Sequence, residues 1–300
     1  MKFKAAVAQI DSRVGNLRLN VEHHLEHVDA AIKAGANLIL FPEPSLTGYT
    51  LRDLAWDVAI NPYAHPVLDP LRQRSTDISI VAGLVESGAD HGIYNAAVLL
   101  EDGEVKHIHR KIYPPTYVMF EEGRYFGAGR ALRAVDSKLG RLGLLICEEV
   151  WHLSLPYLLA YDGAEAILVL TASPSRIAGT ETELQHAKTN HEQHRVYARL
   201  LSSYFLFCNR VGFEDGVNFW GGSAITNPCG EMAAVAKYFA EDMIFGQIES
   251  LEVQRARRFS RHFLDEDLDL VRRTLGRIAE SWQGLTPVNP ESRKTDHPLF

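Results

Sequence analysis

Seven short apolar runs, at residues 3–8, 38–41, 78–85, 96–100, 142–147, 166–170 and 204–208, set the tightest limit on how this chain can fold. Runs this brief suit strands buried in a core. Longer segments with helical periodicity lie between several of them, at 17–34, 153–161 and 182–202. The later runs at 223–226, 233–236 and 243–248 come instead with turn signals such as Asn227-Pro228-Cys229-Gly230. Helix-separated strands first and hairpins second predict an α/β (α+β) protein, a mixed sheet system with helices outside. Residues 31–40 and 158–168 also echo each other, each reading as helix end, glycine stop and apolar strand. Two similar halves packed face to face would produce that echo, and so would two ordinary helix-to-strand turns.

At 300 residues the chain can bury a core without disulfides or a structural metal. We read one domain over residues 1–250 and a C-terminal arm over 251–300. The arm carries Arg255, Arg257, Arg258 and Arg261, a helix at 268–281, and a proline-bearing polar end at 286–300. A net charge of −7 argues against a general nucleic-acid binder, which needs a basic face for phosphates. Gln9 and Asp11 interrupt the N-terminal apolar run too early for a signal peptide. No apolar stretch approaches the ~18 residues of a membrane span. The three cysteines, Cys147, Cys208 and Cys229, are odd in number and widely spaced, which suggests neither a disulfide framework nor a zinc site. A cytoplasmic protein without nucleic-acid or membrane partners is the expectation.

Three strand ends could carry chemistry. In Gly143-Leu144-Leu145-Ile146-Cys147-Glu148-Glu149 an apolar strand ends in a cysteine, and acidic residues then open an apparent helix. Taken alone, Cys147 reads as a small buried core residue; alternatively, oriented N–H groups at a helix start favour a nucleophilic thiolate and receive an oxyanion. Cys208 lies inside a core strand and Cys229 in a turn. In Leu40-Phe41-Pro42-Glu43-Pro44 a second strand delivers Glu43 between two prolines. That placement is compatible with an exposed turn, or with a desolvated carboxylate suited to general-base work. The segment from His109 to Phe126 takes a basic strand end through Lys111 into a loop rich in proline and aromatic residues, then two glutamates. Lys111 is either a solvated surface lysine or a fixed positive charge for an oxyanion. A metal centre would need more than the pairs His23/His27 and His191/His194, whose helical spacing reads as solvated helix faces.

Together, Glu43, Lys111 and Cys147, each at a strand end and in that order, resemble the Glu-Lys-Cys triad of the nitrilase (carbon-nitrogen hydrolase) superfamily. The resemblance runs from Ala6-Val7-Ala8-Gln9-Ile10 to Gly221-Gly222-Ser223-Ala224-Ile225, about residues 1–250. Within the superfamily the chain is most similar to the glutamine amidohydrolase domain of glutamine-dependent NAD synthetase. The matching pieces are Phe41-Pro42-Glu43 with Leu46-Thr47-Gly48-Tyr49, Pro115-Thr116-Tyr117 with Phe120-Glu121-Glu122, Ile146-Cys147-Glu148-Glu149-Val150-Trp151, and Ala172-Ser173-Pro174.

This resemblance implies a four-layer α-β-β-α sandwich and a covalent amidase mechanism on Cys147. Glu43 would be the general base, Lys111 the oxyanion partner and Glu122 a supporting glutamate, with Tyr117, Glu148 and Ser173 gripping a small amide. It implies no cofactor, no metal and a homo-oligomer. Ser175 departs from the family's aromatic residue, leaving Arg176 and Lys188 as candidate carboxylate anchors. Neither a Ser-Gly-Gly-x-Asp-Ser loop nor a Gly-x-x-x-x-Gly-Lys loop occurs in the 300 residues. The expected role is therefore a small-amide hydrolase; a glutaminase subunit serving a separate synthetase, a nitrilase and an N-carbamoyl hydrolase are the alternatives.

Overall fold

The computed structural model describes residues 1–175 and 182–283. The chain divides into two compact units, Met1–Phe259 and Ser260–Phe300. The described part of the second holds a 3-10 turn, Arg261–Phe263, and a helix, Leu268–Gln283, with Leu270 and Leu275 exposed. The polar end at 286–300 lies outside the described residues.

The first unit is built on two six-stranded sheets. Sheet one contains β1 (Lys2–Gln9), β2 (Leu38–Leu40), β3 (Ser79–Ser87), β4 (Ile93–Glu101) and β5 (Glu104–Arg110), with β15 (Asp242–Glu249) on the free edge of β1. Sheet two contains β6 (Val135–Ser137), β7 (Gly140–Ile146), β8 (Ala166–Thr171), β10 (Tyr204–Asn209), β13 (Ala224–Thr226) and β14 (Met232–Val235), in the order β14-β13-β10-β8-β7-β6. A small third sheet joins β9 (Pro174–Ser175), β11 (Val211–Glu214) and β12 (Val217–Trp220).

The apolar runs are continuous because both faces of each strand are covered. Alternate residues Val7, Leu40, Val81 and Leu99 of sheet one share a core with Leu144, Leu168 and Leu206 of sheet two. Their neighbours Ala6, Ile39, Ile80 and Val98 point the other way, onto Val21, Val28 and Ala31 of α1 (Leu17–Lys33). Those three, with His24, form one buried stripe at helical spacing. Asn16 caps α1 by accepting from the Leu19 N–H. Gly35, at φ +75°, ends it where the Ala36 N–H turns back to Ala31.

The outer face of sheet two is covered by α5 (Ser154–Tyr161) and α6 (Thr182–Leu201). The layers thus follow the expected α-β-β-α order. His191 and His194 are not solvated, contrary to the reading from spacing. They lie on the inner face of α6, 7% and 2% exposed, where His191 Nε2 meets the Gly222 carbonyl and His194 packs on Phe207. A four-residue repeat marks a helix face without saying whether a sheet lies beneath it. The β11–β12 hairpin turns at Asp215-Gly216 between the alternating apolar residues Val211, Phe213, Val217 and Phe219, a local hairpin signal that the reading of strands passed over.

Candidate active site

β4 is antiparallel to both β3 and β5, and β3 is parallel to β2, so β2 and β5 run in the same direction. Glu43, just past β2, and Lys111, just past β5, therefore emerge at the same end of sheet one. In sheet two β7, β8 and β10 are mutually parallel, and their ends deliver Cys147, Ser173 and Asn209. The Ala172 N–H, after β8, donates to Glu43 Oε2 at 3.0 Å and joins the two sets of strand ends.

The sheet-one side is a buried ionic cluster. Lys111 Nζ donates to Glu43 Oε1 at 2.7 Å and to Glu122 Oε1 at 2.8 Å, and all three side chains are shielded from water. Burial alone would depress the ammonium, but Glu122 and Glu43 outweigh it and hold Lys111 above the ordinary lysine range. Burial raises the Glu122 carboxyl, with Lys111 opposing and Glu43 reinforcing the shift. Glu122 opens the one-turn helix α4 (Glu122–Tyr125), and its N–H donates to the Pro115 carbonyl. The proline-rich loop thereby carries the second glutamate back to the lysine.

Cys147 starts a five-residue 3-10 turn, Cys147–Trp151, in the left-handed region at φ +48°. A non-glycine residue there costs on the order of 1–3 kcal/mol, and the turn aims the side chain away from the strand path. The residue keeps partial exposure. Of the two readings of Cys147, a buried core thiol and a thiolate at a helix start, its surroundings act in the direction of the first. Burial first, then the charge of Glu43, push the thiol well above its ordinary range, while Lys111 and the Ala172 N–H pull it down. A single 3-10 turn supplies little dipole, so the desolvation of the sulfur dominates.

Tyr117 and Glu148 meet: the tyrosine O–H donates to Glu148 Oε2 at 2.7 Å, and Tyr117 is half exposed. Ser173 is partly buried, its N–H donating to Asn209 and its hydroxyl accepting from the Trp220 indole at 3.1 Å. Lys188 is exposed and faces Glu192 on its own helix, and Arg176 lies outside the described residues. Cys208 is a core residue whose sulfur lies against the Ala8 and Leu40 carbonyls, and Cys229 is exposed in a turn.

Three contributors escaped the sequence reading. Asn95 of β4 donates to Glu43 Oε1 at 2.7 Å, and the Tyr49 O–H donates to Glu122 Oε1 at 2.7 Å. The third is Gly83 of β3, where a Cβ would stand 2.7 Å from the Pro42 carbonyl oxygen and 3.0 Å from the Glu43 Cα. Only a residue without a side chain lets the Glu43 turn lie this close to the sheet. An asparagine in an apolar strand is the one local signal among these; the tyrosine and glycine meet the cluster through long-range pairing. Beside Glu122 and Tyr49 opens a cavity of about 240 Å³, walled also by Met119, Phe120, Phe126 and Phe219; Cys147 is not one of its walls.

Residues 4–258 match the family model for carbon-nitrogen hydrolases. The chain belongs to the carbon-nitrogen hydrolase family. It is by class a hydrolase acting on carbon–nitrogen bonds. This hydrolase is 31% identical over 247 residues to the glutamine-dependent NAD(+) synthetase of Acinetobacter baylyi, a match covering 82% of this chain and 44% of the relative. The chain spans less than half the length of that curated relative. A solved glutamine-dependent NAD+ synthetase from Acinetobacter baumannii superposes with a TM-score of 0.74 at 28% identity, covering 84% of this chain and 47% of that one. A carbon-nitrogen hydrolase from Helicobacter pylori shares the fold with a TM-score of 0.82 at 22% identity, over 92% and 99% of the two chains.

Proposed function

We propose that this hydrolase is an amidase that cleaves a small carboxamide to the acid and ammonia through a thioester on Cys147. The observation that carries the reading is the buried Lys111 held between Glu43 and Glu122 at the strand ends that oppose Cys147. A thiol held protonated by its surroundings needs a base beside it, and Glu43 is the carboxylate whose charge acts on it most.

In this scheme Glu43 takes the thiol proton as sulfur bonds to the carbonyl carbon. The carbonyl π pair becomes an oxyanion, which Lys111 and the backbone N–H following Cys147 receive. Collapse expels the amine, which takes the proton from Glu43 and leaves as ammonia. Water then gives a proton to Glu43 and its oxygen to the thioester carbon, and the returning proton restores the thiol. Glu122, fixed by Tyr49, keeps Lys111 aimed.

A second reading, a glutaminase that supplies ammonia to a separate synthetase, is favoured by the named relatives and by the Tyr117–Glu148 pair, whose carboxylate suits a substrate ammonium. A homo-oligomer is supported by apolar side chains exposed on or beside the outer helices, Leu153, Leu158 and Val196; light scattering tests it. The deciding experiment measures ammonia from glutamine, short aliphatic amides, N-carbamoyl amino acids and a nitrile, and weighs the intact protein for an acyl adduct on Cys147. Glutamine turnover alone would select the glutaminase reading. A Cys147→Ala protein that still releases ammonia would end both.

A further inference from the structure

Glu149 has no part in the chemistry proposed above, yet it is fully buried two residues after Cys147. Its Oε1 accepts from the Ile112 N–H at 2.7 Å, and its Oε2 from the Ile146 N–H at 2.6 Å. Ile112 directly follows Lys111, and Ile146 directly precedes Cys147. A third partner, His109 Nε2, lies 3.0 Å from Oε1 and 2.8 Å from Oε2. Both oxygens already accept from backbone N–H groups, so the His109 nitrogen fits here as a third donor. His109 belongs to β5, two residues before Lys111, and is itself buried. One side chain thus bridges the end of sheet one that presents Lys111 and the turn of sheet two that presents Cys147.

We propose that Glu149 is a positioning residue, a carboxylate clamp clipped to β5 by His109 that holds the Cys147 turn at a fixed offset from Lys111. The inference rests on the amidase reading for its kinetic consequence and on the geometry alone for the clamp itself. Every oxygen of the carboxylate faces a backbone donor. A glutamine in its place must therefore turn its NH₂ toward either the Ile112 or the Ile146 N–H, and neither orientation of the amide avoids the clash of donors. The clamp requires two acceptor oxygens, and loss of either contact frees one of the two reacting sides. A displacement of about 1 Å between such groups costs on the order of a hundredfold in rate.

The test uses the full chain in a Cys229→Ser background, with iodoacetamide alkylation of Cys147 followed by intact mass across pH, and amide turnover measured beside it. Glu149→Gln is expected to slow alkylation about tenfold or more, to move its pH profile, and to lower kcat about a hundredfold with KM nearly unchanged. His109→Phe should produce the same pattern more weakly. His109→Gln, which restores an N–H at a similar reach, should recover most of the loss. Should Glu149→Gln fail to fold, the two His109 variants decide the matter. The clamp is overturned when the variants only melt earlier, with alkylation profile and kcat unchanged. A wild-type protein that forms no acyl adduct from any amide defeats the amidase reading, while the alkylation comparison still reads the clamp.

Discussion

The two sides of the site differ in what surrounds their polar groups. At the end of sheet one, Glu43, Lys111 and Glu122 are buried, and every formal charge has a partner within 2.8 Å. At the end of sheet two, Cys147 and Glu148 are partly exposed, and Tyr117, which reaches Glu148 from the loop after β5, is half in water. A closed ionic cluster has one low-energy arrangement, because each removal strands a charge in a dry site. An open rim of hydrogen-bonding groups can be altered with little structural penalty. The buried charges of sheet one are therefore held in one arrangement, while the rim of Cys147, Glu148 and Tyr117, drawn from the ends of both sheets, tolerates change.

The largest test of that contrast lies where the sides meet. Cys147→Ala should abolish the acyl adduct and lower turnover by about 10⁴-fold or more, with little change in melting temperature. Lys111→Ala should cut turnover at least about a hundredfold. It should also destabilise by about 3–5 kcal/mol in chemical denaturation, since Glu43 and Glu122 then face each other unpaired. Equal stability of these two variants would break the comparison.

Gly83→Ala sharpens it next. The added methyl has no space at the Pro42 carbonyl, so Glu43 must shift, and kcat should fall by about ten- to a hundredfold with KM within about threefold. Tyr117→Phe, on the open side, removes one half-exposed hydrogen bond worth about 1 kcal/mol. The expected result is a several-fold rise in KM with kcat within a factor of about two, and a kcat loss as large as that of Gly83→Ala would merge the two sides.

A last test concerns burial without charge, away from both sides of the site. His24, between the Asn20 carbonyl and the Ser45 hydroxyl, is pushed by desolvation from 6.5 to about 3, and burial lowers His194 likewise to about 3. The unfolded chain binds these protons below pH 6.5, while the folded chain refuses them until near pH 3. Stability is therefore full above pH 6.5 and is lost as pH falls through that interval. Urea midpoints between pH 7 and 5 should decline, and His24→Gln should flatten the decline; an unchanged slope would show that His24 takes up its proton in the fold.

Much of this was legible locally. The apolar runs and the turn-flanked segments after them marked the strands of the two large sheets except β5 and β6, and three strand ends marked Glu43, Lys111 and Cys147. Turn residues at Asn227-Pro228-Cys229-Gly230 marked the hairpin of β13 and β14. Local signals sufficed there because strand burial, helix stops and turns are set by neighbours in the chain. The environment of each group was not legible, because it depends on residues far away in sequence. Packing around the sulfur and the charge of Glu43 push the Cys147 thiol up, and the sheet beneath α6 buried two histidines that the spacing had left in water.

The amino-acid sequence by itself determined which groups arrive at strand ends and in what order, since a buried strand must be apolar and its first polar residue falls where the sheet stops. Only the tertiary structure decided which of them touch. Lys111 meets Glu43 across 68 residues of chain, Ala172 reaches Glu43 across 129, and Glu149 ties β5 to the Cys147 turn across 40. Such pairings follow from the mixed parallel and antiparallel registers of two sheets packed face to face, a long-range property that no local pattern encodes.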